Sequence, residues 1–108
     1  MNEQKLTGML GLAARAGKVS AGTDACRILI RSGKCGVLLL DGETRDHTRK
    51  KAEDLCRQTE TPILILPGGM IERATGKENR VLAIQKSSFT EQILKLADNQ
   101  QIRQAEED

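Results

Sequence analysis

The chain alternates between two hydrophobic rhythms, one recurring every three to four residues and one running unbroken for four or five. In residues 2–16, Leu6, Met9, Leu10 and Ala13 fall at the i, i+3, i+4, i+7 spacing of one helix face, and Gly17 supplies a stop. Val19 and Ser20 leave room for only a very short strand. Gly22, Thr23 and Asp24 then read as a turn that caps a second helix, whose inward stripe is expected at Ala25, Ile28, Leu29 and Ser32 and whose end is Gly33. Residues 36–40 (GVLLL) form a continuous apolar run of strand length, the pattern of a strand covered on both faces.

A polar loop over residues 41–44 follows that strand. Residues 46–59 are predicted as a third helix with Ala52, Leu55, Cys56 and Thr59 on its inner side and charge over nearly all of the other. Pro62 introduces the run ILIL, which Pro67, Gly68 and Gly69 close. Residues 70–75 read as a short helix stopped by Gly76, and residues 80–84 (RVLAI) as another strand. Ser88 and Glu91 match a capping box ahead of a last helix that carries Phe89, Ile93, Leu96 and Ala97 inward. This alternation predicts an α/β protein, a three-layer α/β/α sandwich around a small mixed sheet, as a single domain over residues 1–98. Residues 99–108 (NQQIRQAEED) hold too little apolar surface to offset ordering entropy and are expected to be a frayed acidic tail.

Composition narrows the function. Phe89 is the only aromatic among 108 residues, so neither a base-stacking platform nor a methyl-lysine cage can be built. No stretch approaches the roughly 20 apolar residues of a membrane span. The first residues lack the charged leader and apolar run of a secretion signal, which makes a cytoplasmic protein the expectation. Cys26, Cys35 and Cys56 are odd in number and far apart, which predicts buried, reduced thiols rather than disulfides or a zinc site. His47, the only histidine, sits in DHTRKK and reads as a surface helix residue. Any catalytic triad built on histidine would have to pass through it.

The net charge of +2 hides a division along the chain: residues 1–97 hold 16 bases and 11 acids. The excess is sharpest between Gly11 and Lys34, where Arg15, Lys18, Arg27, Arg31 and Lys34 face Asp24 alone. Such a local positive field attracts polyanions. The turn GKVSAGTDACR is basic and leads directly into a helix, where free N–H groups and the helix dipole favour a phosphate. A plain helix cap explains Gly22 to Asp24 equally well. The nucleotide loop G-x-x-x-x-G-K-[ST] and the dinucleotide fingerprint G-x-G-x-x-G are both missing, so no cofactor is expected. A second basic turn, GKENR, offers Gly76, Lys77 and Arg80. If the sheet brings it beside the Gly22 turn, the two would jointly present cations and N–H donors to a nucleic-acid backbone. Residues 45–51 (RDHTRKK) read as an exposed helix face with i, i+4 pairs such as Arg49 with Glu53. Asp41 reads as a loop or capping carboxylate.

The ordered segments MLGLAARAGKVSAGTDA, IRSGKCGVLLLDGETRDHTRKK, TPILIL and MIERATGKENRVLAI resemble the small bacterial YlxQ-like proteins. These are similar in turn to the ribosomal protein family named for large-subunit proteins seven-Ae and thirty-e. The resemblance covers most of the chain and implies an α/β/α sandwich that binds structured RNA, often a kink-turn, without catalysis. Kink-turn binders commonly carry G-x-N-E-x-x-K; here Gly22 is kept, whereas Asp24, Ala25 and Ile28 stand at the Asn, Glu and Lys positions.

The expected site is therefore Lys18, Gly22, Thr23, Asp24, Arg27, Arg31, Gly76, Lys77 and Arg80, with Arg15 and Lys34 widening the patch. The expected partner is a structured RNA, rRNA or another folded RNA, in a ribosome- or translation-associated role. The alternative is a protein-interaction module on the same sandwich. Cations gathered on one face favour RNA, whereas dispersed cations beside an exposed apolar groove favour a protein.

Overall fold

A computed structural model of the chain describes residues 2–97 together with Ile102 and Arg103. Among the described residues, five helices and five strands follow in the order α1 (Glu3–Arg15), β1 (Val19–Ala21), α2 (Thr23–Arg31), β2 (Cys35–Asp41), α3 (Asp46–Thr59), β3 (Ile63–Leu66), α4 (Met70–Thr75), β4 (Val81–Gln85), α5 (Ser88–Leu96) and β5 (Ile102–Arg103). The strands lie in the order β1-β4-β2-β3-β5. Only β2 and β3 run parallel, and every other pairing is antiparallel, so the sheet is mixed as expected.

β2 is central and buried at every position, which is why its sequence is apolar without alternation. Val37 and Leu39 face α1, α4 and α5, in a core with Leu6, Leu10, Met70, Ile71 and Ile93. Leu38 and Leu40 face α2 and α3, in a core with Cys26, Ile30 and Cys56. The β2–β4 register shifts between Cys35 and Val37. Cys35 consequently joins Leu38 and Leu40 on the α2/α3 side instead of following Val37. Phe89 is half-buried and packs against the first of these cores, from the start of α5.

Two local expectations are corrected. The buried residues of α2 are Cys26 and Ile30, with Leu29 partly buried; Ala25 is exposed and Ile28 is 71% exposed. In a helix of nine residues, two stripes one residue apart fit the helical period almost equally well, and packing against the sheet selects between them. The cap of α5 is Ser87, whose side chain makes no capping bond, so no capping box forms. The Thr90 hydroxyl instead donates to the Gln85 carbonyl at 3.0 Å. Ile102 and Arg103 pair with Leu64 and Ile63 of β3; the rest of residues 99–108, expected to be a frayed tail, lies outside the described residues.

Candidate nucleic-acid interface

The site is organised by one carboxylate at the end of β2. Asp41 is only 6% exposed. Its Oδ1 accepts the Glu43 backbone N–H at 2.7 Å, and its Oδ2 accepts the Gly69 backbone N–H at 2.8 Å. The Arg80 guanidinium approaches Oδ1 at 3.5 Å, and the Asp41 N–H donates to the Arg80 carbonyl at 2.8 Å. Asp41 thus ties together the β2–α3 loop, the β3–α4 loop and the residue before β4. The expected loop carboxylate is present, and what it positions is Arg80, whose side chain stays 54% exposed.

The two glycine turns meet at this end of the sheet. The Gly22 N–H donates to the Val81 carbonyl at 3.2 Å, placing the start of α2 against the start of β4. Gly22 has φ 90° and ψ 157°, a combination essentially reserved for glycine, and open space surrounds the position where a Cβ would stand. No side chain caps α2. Its first N–H groups and the positive end of its dipole therefore remain available to an anion.

Beside this helix end lies a recess of about 460 Å³, lined by Gly22, Thr23, Thr44, Arg45, Asn79 and Arg80 among others. Thr44 is buried, and its Oγ1 has no hydrogen-bond partner among the described residues. An orphaned buried hydroxyl is costly, and this cost is carried at the wall of the recess. Glu43 and Glu78 also line the wall, so the recess is mixed in charge rather than uniformly cationic.

Through Thr23, Thr48 and Val81 the recess continues into a cleft of about 410 Å³ between α2 and α3. Arg27, Arg31, His47 and Lys51 line that cleft over an apolar floor containing Ile30 and Leu55. Arg27 pairs with Asp24 at 3.4 Å, but both side chains are well exposed, so the pair barely neutralises either charge. Arg49 and Glu53 pair at 3.4 Å as their spacing suggests, on the part of α3 away from this cleft. The three thiols are free and buried. Burial pushes Cys26 and Cys56 up to about 12 and Cys35 up to about 11, which keeps them protonated and inert.

Of the residues expected in the site, Gly22, Thr23 and Arg80 meet at the recess, and Arg27 and Arg31 continue it along the cleft. Asp24 is exposed on the first turn of α2. Gly76 and Lys77 precede the recess in the α4–β4 loop without lining it. Lys18 stands elsewhere: its carbonyl accepts the Gln85 N–H and the Lys34 carbonyl accepts the Lys86 N–H, both at 2.9 Å. Those contacts put Lys18 and Lys34 at the far end of β4, about 13 Å from Gly22 at strand rise. Arg15 lines a groove on the opposite helical layer. Arg45, Thr48 and Lys51 line the recess or the cleft, although their sequence context reads as an exposed helix face. Only the packing of α3 beside α2 turns that face inward to the cleft.

No family model matches the chain. The fold is that of an α/β/α sandwich shared with the Giardia lamblia 15.5kD RNA binding protein, at a TM-score of 0.70 and 14% identity over 86% of this chain and 84% of that one. A protein of unknown function from Bacillus halodurans C superposes at a TM-score of 0.80 with 29% identity, covering 85% of this chain and 95% of its own. Among curated proteins, the RNA-binding protein YlxQ of Bacillus subtilis (strain 168) is 33% identical over 92 residues, covering 83% of this chain and 92% of the relative. Its namesake from Enterococcus faecium is 28% identical over 98 residues, covering 90% and 95%. The chain belongs to the YlxQ family.

Proposed function

We propose that this protein binds structured RNA without catalysing a reaction. The observation that carries this is the meeting of the uncapped α2 N-terminus with Arg80 and Arg45 at the recess, continued by Arg27, Arg31 and Lys51 along one connected surface. Backbone N–H groups and guanidinium forks suit phosphate oxygens. The apolar floor and exposed Ile28 suit ribose and base edges of a folded RNA. With Phe89 packed on the core, base stacking contributes little, and the shape of the RNA dominates recognition. The RNA-binding relatives support this reading, as does the shared sandwich.

Asp24, Ala25 and Ile28 replace the polar set of kink-turn readers, so the preferred RNA differs from a standard kink-turn in its contact bases. Ribosomal RNA, in a translation-associated role, is the target class that the family resemblance favours. Lys77 reaches the RNA from the rim of the α4–β4 loop, and Lys18 is engaged only by an RNA long enough to pass the far end of β4.

The test is affinity for rRNA fragments across a salt series. Affinity is expected to fall steeply with salt, and the variant Arg27→Glu/Arg31→Glu to bind about a hundredfold more weakly with unchanged thermal stability. A salt-insensitive affinity, or full binding by that variant, would overturn the proposal.

A further inference from the structure

On the layer opposite the recess, an open groove of about 610 Å³ runs between α1 and α5. Met9, Leu12 and Leu96 make its floor, and Lys5, Arg15 and Lys95 stand along its rim. Leu12 is 48% exposed, a large apolar side chain left in water by the fold. Among the described residues, no carboxylate lines the groove and none of its three cations is in an ion pair.

Gly8, which also lines the groove, sharpens the picture. Glycine is the poorest helix former after proline, yet α1 carries two in its interior. Gly11 has an internal reason: a Cβ there would come within 3.1 Å of the Ala74 carbonyl oxygen. Gly8 has none, because a Cβ there would meet nothing within 4 Å. A bare backbone on an exposed helix is useful where something outside the molecule must approach closely.

We propose that this groove docks an acidic amphipathic helix from a partner protein. The docked helix lies along α1 and α5, crosses closely at Gly8, sets its apolar stripe on Met9, Leu12 and Leu96, and turns carboxylates to Lys5, Arg15 and Lys95. From Lys5 to Arg15, α1 offers about 15 Å, enough for about three turns of a partner. Other occupants fit less well. The α1 N-terminus beside the groove is already capped by the Asn2 side chain, so RNA finds no free helix end there, and a second copy docked by a two-fold contact would bring the cationic rim onto itself. The chain's own residues 98–101 and 104–108 include no large apolar side chain.

The probe is a synthetic three-turn helical peptide with leucines at i, i+3, i+4 and i+7 and glutamates elsewhere, titrated into the full-length protein under NMR observation. Amide shifts are expected at Gly8, Met9, Leu12 and Leu96, with binding at least about tenfold weaker for Leu12→Asp and for Lys5→Glu/Arg15→Glu. Gly8→Ala separates docking from structure, since it should raise the melting temperature while weakening the peptide. Shifts elsewhere, equal binding of a peptide with lysine in place of glutamate, or undiminished binding by Gly8→Ala would each overturn the proposal. So would a dimer that Leu12→Asp dissociates, or groove shifts on adding RNA. Because the groove and the Arg27 surface lie on different layers, the two proposals fail independently.

Discussion

Toward α1, α4 and α5 the sheet meets five large buried helix side chains, Leu6, Leu10, Met70, Ile71 and Ile93, whereas toward α2 and α3 it meets one isoleucine and two cysteines. The first layer is sealed by bulky aliphatic packing. In the second, Ala52, Leu55 and Leu29 remain partly buried, and a cleft opens between the helices. The difference teaches where a cleft against the sheet can open in so small a domain. A concave surface with available donors must be left incompletely packed, so the opposite layer has to hold the sheet rigid beneath it.

The largest expected effect breaks the sealed layer. Leu10→Ala leaves a cavity in a fully buried aliphatic core and is expected to lower unfolding free energy by about 2–5 kcal/mol in denaturant titrations. RNA affinity of the fraction still folded should stay close to that of the parent protein. If that affinity collapses instead, the layers are not separable. Next comes Gly22→Ala, which forces a Cβ into a backbone conformation suited to glycine and should lose about 1–3 kcal/mol. Because the strain falls at the recess, this smaller change in stability should weaken RNA binding more than Leu10→Ala does.

Cys56→Ala, in the thinner core, should lose about 1 kcal/mol at neutral pH. Its larger signature is alkaline. Burial holds the folded thiols at about 11 to 12 against the ordinary 9.0, so their contribution is full below pH 9 and disappears as pH rises through those folded values. A denaturation series from pH 8 to pH 11 should therefore fall more steeply for the parent than for Cys26→Ala/Cys56→Ala. Parallel curves would mean that the thiols already titrate normally in the fold. Smallest is Asp54→Ala, which removes an exposed i, i+3 pair with Arg57 and should change stability by no more than about 0.5 kcal/mol.

Much of the fold was legible because the apolar runs are unambiguous. ILIL between prolines is too short for a helix, and the bounds of α3 and α4 coincide with the change from periodic sequence to turn residues. The failures have local causes. α2 has only nine residues, and a shift of one residue moves its inner stripe by a single helical step, so Ile28 reads as core although it faces water. The Ser88–Glu91 spacing satisfies a capping box, yet the helix takes Ser87 as its cap. For the candidate site, charge along the chain singled out Arg27, Arg31 and Arg80, which line the adjoining cleft and recess, but grouped them with Lys18, which the length of β4 carries to the other end. Arg45 and Lys51 were hidden because a charged helix face looks the same whether it meets solvent or a cleft.

The order of elements, the absence of a stacking platform and the cationic character of the first third of the chain are properties of residue type and spacing, and the sequence alone determined them. Tertiary structure decided which charges act together. The antiparallel pairing of β1 with β4 brings Gly22 to Val81, Asp41 holds Arg80 beside them, and α3 lies across from α2 to complete the cleft. The physical reason is that convergence of distant residues depends on strand order and register, which hydrophobic periodicity does not encode: a period says which face is buried, not what packs against it.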